Sequence, residues 1–241
     1  MKQIFMLTPF PKMVEAVISE SILGRSEKNN QVKFHIKNLF DFADSPHQRI
    51  DDYPFGGGSG MILKPEPIFR AYDKILTELS DDTNLRIVFP TPDGKMLNHA
   101  EAFNLSQCEN LVFICGHYKG IDQRIRDEYV SDEISIGDFV LTGGELPSMI
   151  IIDSIVRLKY GVLNNYNSAK KDSFYNLLLD GPHYTRPRKY KNLEVPKILL
   201  SGNHKEIERW FLNKREEKTK QRRTDLWKEY RSMNKDGVNN G

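Results

Sequence analysis

Short apolar runs alternate with amphipathic stretches through the first two thirds of this chain. That rhythm predicts an α/β fold, a mainly parallel sheet with helices on both faces. Residues 3–7 are the first apolar run and read as a strand. A helix is predicted over 10–22, with Pro11 near its start, Val14, Val17, Ile18 and Ile22 on one face, and Gly24 as its end. Residues 32–39 alternate like a half-buried strand, and 67–79 read as a helix. Residues 85–89 and 111–115 are short buried strands, and each runs into a turn rich in glycine or proline, at 90–94 and 116–120. Helices are predicted over 100–107 and 122–129.

Residues 135–147 carry the most informative pattern. A short apolar run, Phe139 to Leu141, stands before Thr142-Gly143-Gly144, and a helix over 145–160 follows, ended near Gly161. Thr142 and Glu145 have the spacing of a capping box, and Pro147 is tolerated in a first turn. The expectation is strand, tight turn and helix start, with bare backbone between them. Open α/β sheets bind ligands outside the carboxyl ends of their strands. Three such turns at one sheet edge offer N–H and C=O groups to a purine, with Phe89, Tyr118, Ile136, Phe139 and Leu141 as apolar walls. Neither a G-x-G-x-x-G fingerprint nor a Walker P-loop is present. The glycine run Gly56-Gly57-Gly58-Ser59-Gly60 reads either as a surface loop or as backbone that lets an anion or base approach closely.

Residues 164–171 are polar and aperiodic and read as an interdomain linker. Helices are expected over 172–179, 203–218 and 224–233, and a disordered tail over 234–241. This divides the chain into 1–163, 164–171 and 172–241. Charge changes the picture here. Residues 1–180 hold 19 Lys and Arg against 25 Asp and Glu, whereas 181–241 hold 16 against 8, so an overall +2 conceals a basic C-terminal part. Lys214, Arg215, Lys218, Lys220, Arg222, Arg223 and Lys228 lie among Trp210 and Trp227, a composition suited to a phosphate backbone and equally to a solvated helix pair. The 241 residues, 39% hydrophobic and 28% charged, suit a soluble protein of one large domain with an appendage. No apolar run approaches the roughly 20 residues that span a bilayer, and the first residues do not form a signal peptide. Cys108 and Cys115 make no metal-type pair, so a cytoplasmic protein without membrane contact is expected.

Several motifs in order resemble the bacterial tRNA (guanine-37-N1)-methyltransferase family, TrmD, of the SPOUT superfamily. They are Tyr53-Pro54-Phe55-Gly56-Gly57-Gly58-Ser59-Gly60-Met61, Cys115-Gly116-His117-Tyr118-Lys119-Gly120-Ile121-Asp122, residues 135–147, and Asp172-Ser173-Phe174 followed by 181–187. The resemblance implies a trefoil-knotted domain that binds S-adenosyl-L-methionine, a small helical C-terminal domain, a homodimer with shared active sites, and the anticodon branch of tRNA as partner. It carries the donor site onto Gly116 and Ile136, Gly137, Asp138, Phe139, Val140 and Leu141, with Pro92, Tyr118, Gly143 and Gly144 as neighbours. It carries catalysis onto Asp172, as the base for the guanine N1 proton, and Arg157, as a cation near O6. On residue type alone Asp172 reads as a helix N-cap and Arg157 as a cation suited to a helix C-terminus. Some relatives are linked to a magnesium requirement, and Lys119 in place of a glutamate counts against a carboxylate-held ion here. The competing readings are a knotted ribose methyltransferase and a non-catalytic RNA-binding module.

Overall fold

The computed structural model describes residues 2–79, 84–163 and 172–236. The predicted linker, 164–171, lies outside them, as does the tail beyond 236. Two compact units are distinguished, 1–164 and 165–241.

The first unit is organised by β1 (Lys2–Thr8), whose residues alternate between two cores. Ile4 and Met6 face a cluster with Val14, Leu23, Leu105, Met149, Ile152 and Ile155. Phe5 and Leu7 face a second, with Ile68, Ala71, Ile75, Ile125 and Phe89. A strand fully covered on both faces belongs to a parallel sheet with helices on each side. The neighbours of β1 are β2 (Val32–Asn38) and β6 (Asn110–Ile114). The sheet continues through β5 (Leu85–Met96) to β7 (Asp132–Ser135), in the order β2-β1-β6-β5-β7, with every pairing parallel. The first core is covered by α1 (Pro11–Ile18), α2 (Ser21–Lys28), α4 (His99–Ser106) and α6 (Glu145–Val156). The second lies under α3 (Pro65–Glu78) and α5 (Gln123–Tyr129).

Four local expectations are corrected. The helix expected over 10–22 breaks at Ser19 and Glu20, and Gly24 is buried inside α2. A Cβ there would meet the Ser19 carbonyl oxygen at 2.2 Å, so glycine permits the close approach of the two helices. Residues 91–94 do not end β5. They leave its ladder and the strand resumes, because Pro90 and Lys95 both pair with Ile134. Residues 139–141 are not a strand, since β7 ends four residues earlier, at Ser135. The capping box does not form either. Gly144 is the N-cap of α6, with no side-chain cap.

The glycine run joins β3 (Asp51–Asp52) to β4 (Ile62–Leu63) as an antiparallel hairpin. In the second unit, a hairpin of β8 (Lys189–Tyr190) and β9 (Leu193–Glu194) precedes α7 (His204–Arg222) and α8 (Thr224–Asp236). Helix α8 extends into the stretch expected to be disordered. Residues 172–179 form turns rather than a helix, with Phe174 and Leu177 at positive φ. Polar groups here go to α7 instead: Leu179 N–H donates to Thr219 Oγ1 at 2.8 Å, Arg215 donates to Asn176 Oδ1 at 2.9 Å and to the Leu179 carbonyl at 3.3 Å, and just beyond, Lys218 donates to the Asp180 carbonyl at 2.8 Å. Tertiary hydrogen bonds replace the helical ladder here.

Candidate active site

Three segments meet here: the excursion inside β5 and the stretches that follow the carboxyl ends of β6 and β7. They enclose a cleft of about 180 Å³. From the β5 excursion come Thr91 and Pro92, and from the loop after β6 come Gly116 to Gly120. From the segment after β7 come Ile136, Gly137, Phe139, Val140 and Leu141, then Thr142, Gly143 and Gly144 at the start of α6. Phe89 and Pro147 complete the walls. Ten of the expected donor-site residues therefore share one cavity. Asp138 does not line it and points to solvent. The exposure of Phe139, Val140 and Leu141 follows from their role as cleft wall rather than strand core.

Each loop is held by specific contacts. In the β5 excursion, the Thr91 hydroxyl and then the Arg126 guanidinium hold the Asp93 carboxyl below the usual carboxylate range. Arg126 also donates to Glu133 through two bonds of 2.7 Å and lies over the Phe89 ring at 5.5 Å. The loops after β6 and β7 are in contact: Gly144 N–H donates to the Gly116 carbonyl at 2.7 Å, and His117 pairs with Gly143 in an isolated bridge. Beneath this contact, the Glu145 carboxylate is 1% exposed. It accepts from Thr8 Oγ1 at 2.6 Å and lies 3.1 Å from His117 Nε2. Residue type gave no hint of this trio except that His117 stands inside a turn already marked by its glycines. Cys115 lies below, fully buried, and burial raises its thiol pKa, so it is no nucleophile.

Lys119 is the one formally charged side chain lining the cleft among the described residues, and no carboxylate lines it. Arg157 is the C-cap of α6, and it is not part of the lining. Helix α6 starts at the cleft, and twelve residues at 1.5 Å each put Arg157 about 18 Å from that start. Asp172 belongs to the second unit. In the basic cluster, Lys214 pairs with Glu217 at 2.7 Å and Arg223 with Asp225 at 2.6 Å, so part of that charge is structural. Lys220, Arg222 and Lys228 have no ion-pair partner among the described residues. Trp227 stacks on Tyr230 at 5.7 Å.

The fold and the cleft define a class: an α/β protein with a cavity, glycine-rich in its walls, at one edge of a parallel sheet, where such folds bind ligands. Comparison with known proteins narrows it. Residues 1–229 match the family model described as tRNA (Guanine-1)-methyltransferase TrmD. The chain is 48% identical over 222 residues to a tRNA (guanine-N(1)-)-methyltransferase of Clostridioides difficile, covering 92% of this chain and 96% of that one. It is 50% identical over 224 residues to the Bacillus velezensis protein of the same name, covering 93% and 91%. A Staphylococcus aureus protein of that name is 46% identical over 230 residues, covering 95% and 92%. The chain belongs to the TrmD family of tRNA (guanine-1)-methyltransferases.

Proposed function

We propose that the protein transfers a methyl group from S-adenosyl-L-methionine to N1 of guanosine 37 in tRNA, next to the anticodon. The observation that carries this is the glycine-rich cleft, lined by no carboxylate among the described residues, in a chain that belongs to this family along residues 1–229. Gly116, Ile136, Gly137, Val140, Leu141, Gly143 and Gly144 would hold the donor's purine through backbone groups, between Pro92, Tyr118 and Phe139. The donor, when bound, supplies an electrophilic methyl group. Asp138, exposed beside the cleft, has no such contact assigned.

Guanine N1 carries a proton and is a poor nucleophile until that proton leaves, and Asp172 is the general base that takes it. Arg157 is the cation for the negative charge that builds on O6. The length of α6 separates Arg157 from the cleft of its own chain, so it serves the partner's cleft in a homodimer. Exposed apolar side chains support such a pairing: Phe10, Met13 and Val17 at α1, with Leu146 and Ile150 on α6, which packs against α1. The trefoil knot is proposed on family membership, and the loops after β6 and β7 that would form it are in contact. On this reading residues 1–163 are the catalytic domain, 164–171 a linker and 172–241 a tRNA-binding domain. Lys220, Arg222 and Lys228 are its phosphate contacts. No group of three or more His, Cys, Asp or Glu suited to a metal occurs among the described residues, so no step is assigned to magnesium. The reaction belongs in the cytoplasm with its substrate, and no described helix is long and apolar enough to cross a membrane.

The test is to incubate the protein with labelled donor and tRNA transcripts differing only at guanosines 36 and 37, then to identify the product nucleoside by mass spectrometry. The expected product is 1-methylguanosine at 37, lost in Asp172→Asn while donor affinity is kept. Methylation elsewhere, or an Asn variant of undiminished rate, overturns the assignment.

A further inference from the structure

The glycine hairpin, residues 53–61, stands beside the cleft and plays no part in the donor site. It is attached to the loop after β6 by main-chain bonds: Lys119 N–H donates to the Met61 carbonyl at 3.0 Å, and Leu63 N–H to the Gly120 carbonyl at 3.0 Å. At its tip Gly56, Gly57 and Gly58 all have positive φ, and a Cβ on any of them would meet nothing within 4 Å. The backbone there is bare and open to solvent, so packing does not explain the glycines. Phe55, just before them, is 102% exposed and makes no ring contact among the described residues. Tyr53 is exposed as well. A fully exposed phenylalanine on an ordered hairpin is an unused stacking surface. Lys119 lies at the other side of the hairpin, its stem along Gly60: a Cβ on Gly60 would meet Lys119 Cγ at 2.9 Å and Cε at 3.2 Å. Its ammonium has no ion-pair partner among the described residues. The acidic groups nearby are engaged: Asp51 by Arg49 at 3.7 Å and by the Tyr118 hydroxyl, Asp52 by the Tyr53 N–H at 2.8 Å.

An exposed aromatic ring, bare backbone and a lone cation within one short hairpin match what single-stranded RNA offers, a base face and a phosphate. We propose that the hairpin and Lys119 form an RNA arm of the active site, in which Phe55 stacks on an unpaired base of the substrate loop and Lys119 contacts a backbone phosphate beside the target nucleotide. The proposal rests on the reading of the substrate as tRNA and adds which residues grip its loop. Aromatic stacking on a base is worth about a five- to hundredfold change in affinity. A lysine on a phosphate of a single strand contributes about 0.7 to the slope of log affinity against log salt.

The test uses the full-length protein and a fluorescent anticodon stem-loop RNA, read by anisotropy across a salt series, with donor-analogue affinity measured by calorimetry. Phe55→Ala is expected to weaken RNA binding at least fivefold with donor affinity unchanged, Phe55→Trp to restore it and Phe55→Leu not to. Because Phe55 is fully exposed, its replacement removes no packing, and these variants are expected to fold. Lys119→Ala is expected to lower the salt slope by about 0.7, and Lys119→Arg to keep it. Wild-type RNA affinity in Phe55→Ala overturns the stacking role. A Lys119→Ala loss confined to donor affinity, with the salt slope intact, assigns that ammonium to the donor's carboxylate and overturns the phosphate contact. A wild-type protein that binds the stem-loop and responds to these variants yet makes no 1-methylguanosine would sink the proposed reaction and leave the RNA arm standing. Failure of the wild-type protein to bind the RNA would sink both.

Discussion

Gly144→Ala probes the loop contact on which the cleft depends. Gly144 has φ −82° and ψ −6°, ordinary helical values, so alanine brings no backbone strain and the whole effect is steric. The added Cβ would lie 2.6 Å from Gly116 N, 2.7 Å from Cys115 Cα and 2.9 Å from Cys115 C. All three are main-chain atoms at the end of a fully buried strand, and none can rotate aside. Ordinary contact begins near 3.4 Å, so the two loops must separate by about 0.8 Å. That stretches the Gly144-to-Gly116 hydrogen bond from 2.7 Å to roughly 3.5 Å, beyond useful length. Overpacking of this kind costs about 1–3 kcal/mol, and the lost bond adds about 1 kcal/mol. The sum, about 2–4 kcal/mol, lowers Tm by roughly 5–15 °C in a chain of this size. Donor affinity should fall too, because Gly116 and Gly144 both line the cleft. The assay is thermal unfolding with calorimetric titration of a donor analogue. Gly58→Ala is the control: its φ of +114° makes alanine strained, but nothing lies within 4 Å, so it should lose about 1–2 kcal/mol and leave donor affinity alone. A Gly144→Ala protein with wild-type Tm and wild-type donor affinity would refute the reasoning.

Two further predictions concern buried polar groups. Glu145→Ala leaves the Thr8 hydroxyl and His117 without their buried acceptor and should cost about 2–3 kcal/mol in urea unfolding. Glu145→Gln, which keeps an oxygen for Thr8, should cost less, and equal losses would count against the hydrogen-bond account. Lys2 is buried, its ammonium donating to the carbonyls of Leu105 and Cys108. Desolvation lowers its pKa from 10.5 to about 8. The unfolded chain therefore holds more protons than the folded one between those values, and stability must rise with pH across that window. The stability of the wild-type protein relative to Lys2→Met should increase from pH 8 to pH 10.5 and be lost as pH falls through 8. A pH-independent difference in denaturant midpoint would refute the shift.

Much of this protein was legible along the chain. The alternation of Ile4, Phe5, Met6 and Leu7 names two cores at once, because successive side chains of a strand face opposite ways. Glycine and proline after apolar runs marked all three segments of the cleft, because a chain that leaves or turns away from a sheet needs bare or constrained backbone. Only the tertiary structure decided the rest. Phe139 to Leu141 are apolar enough for a strand, yet the sheet closes with Asp132–Ser135 and these side chains line a cavity instead. Residues 172–179 carry helical composition, but Thr219 and Arg215 of α7 bond the Leu179 backbone and the Asn176 side chain and hold the segment as turns. Glu145 has the spacing of a cap and turns inward to Thr8, 137 positions away. Periodicity records which side chains leave water, a local property. Which buried polar group meets which is settled by contacts between segments far apart in the chain, and no local pattern encodes them.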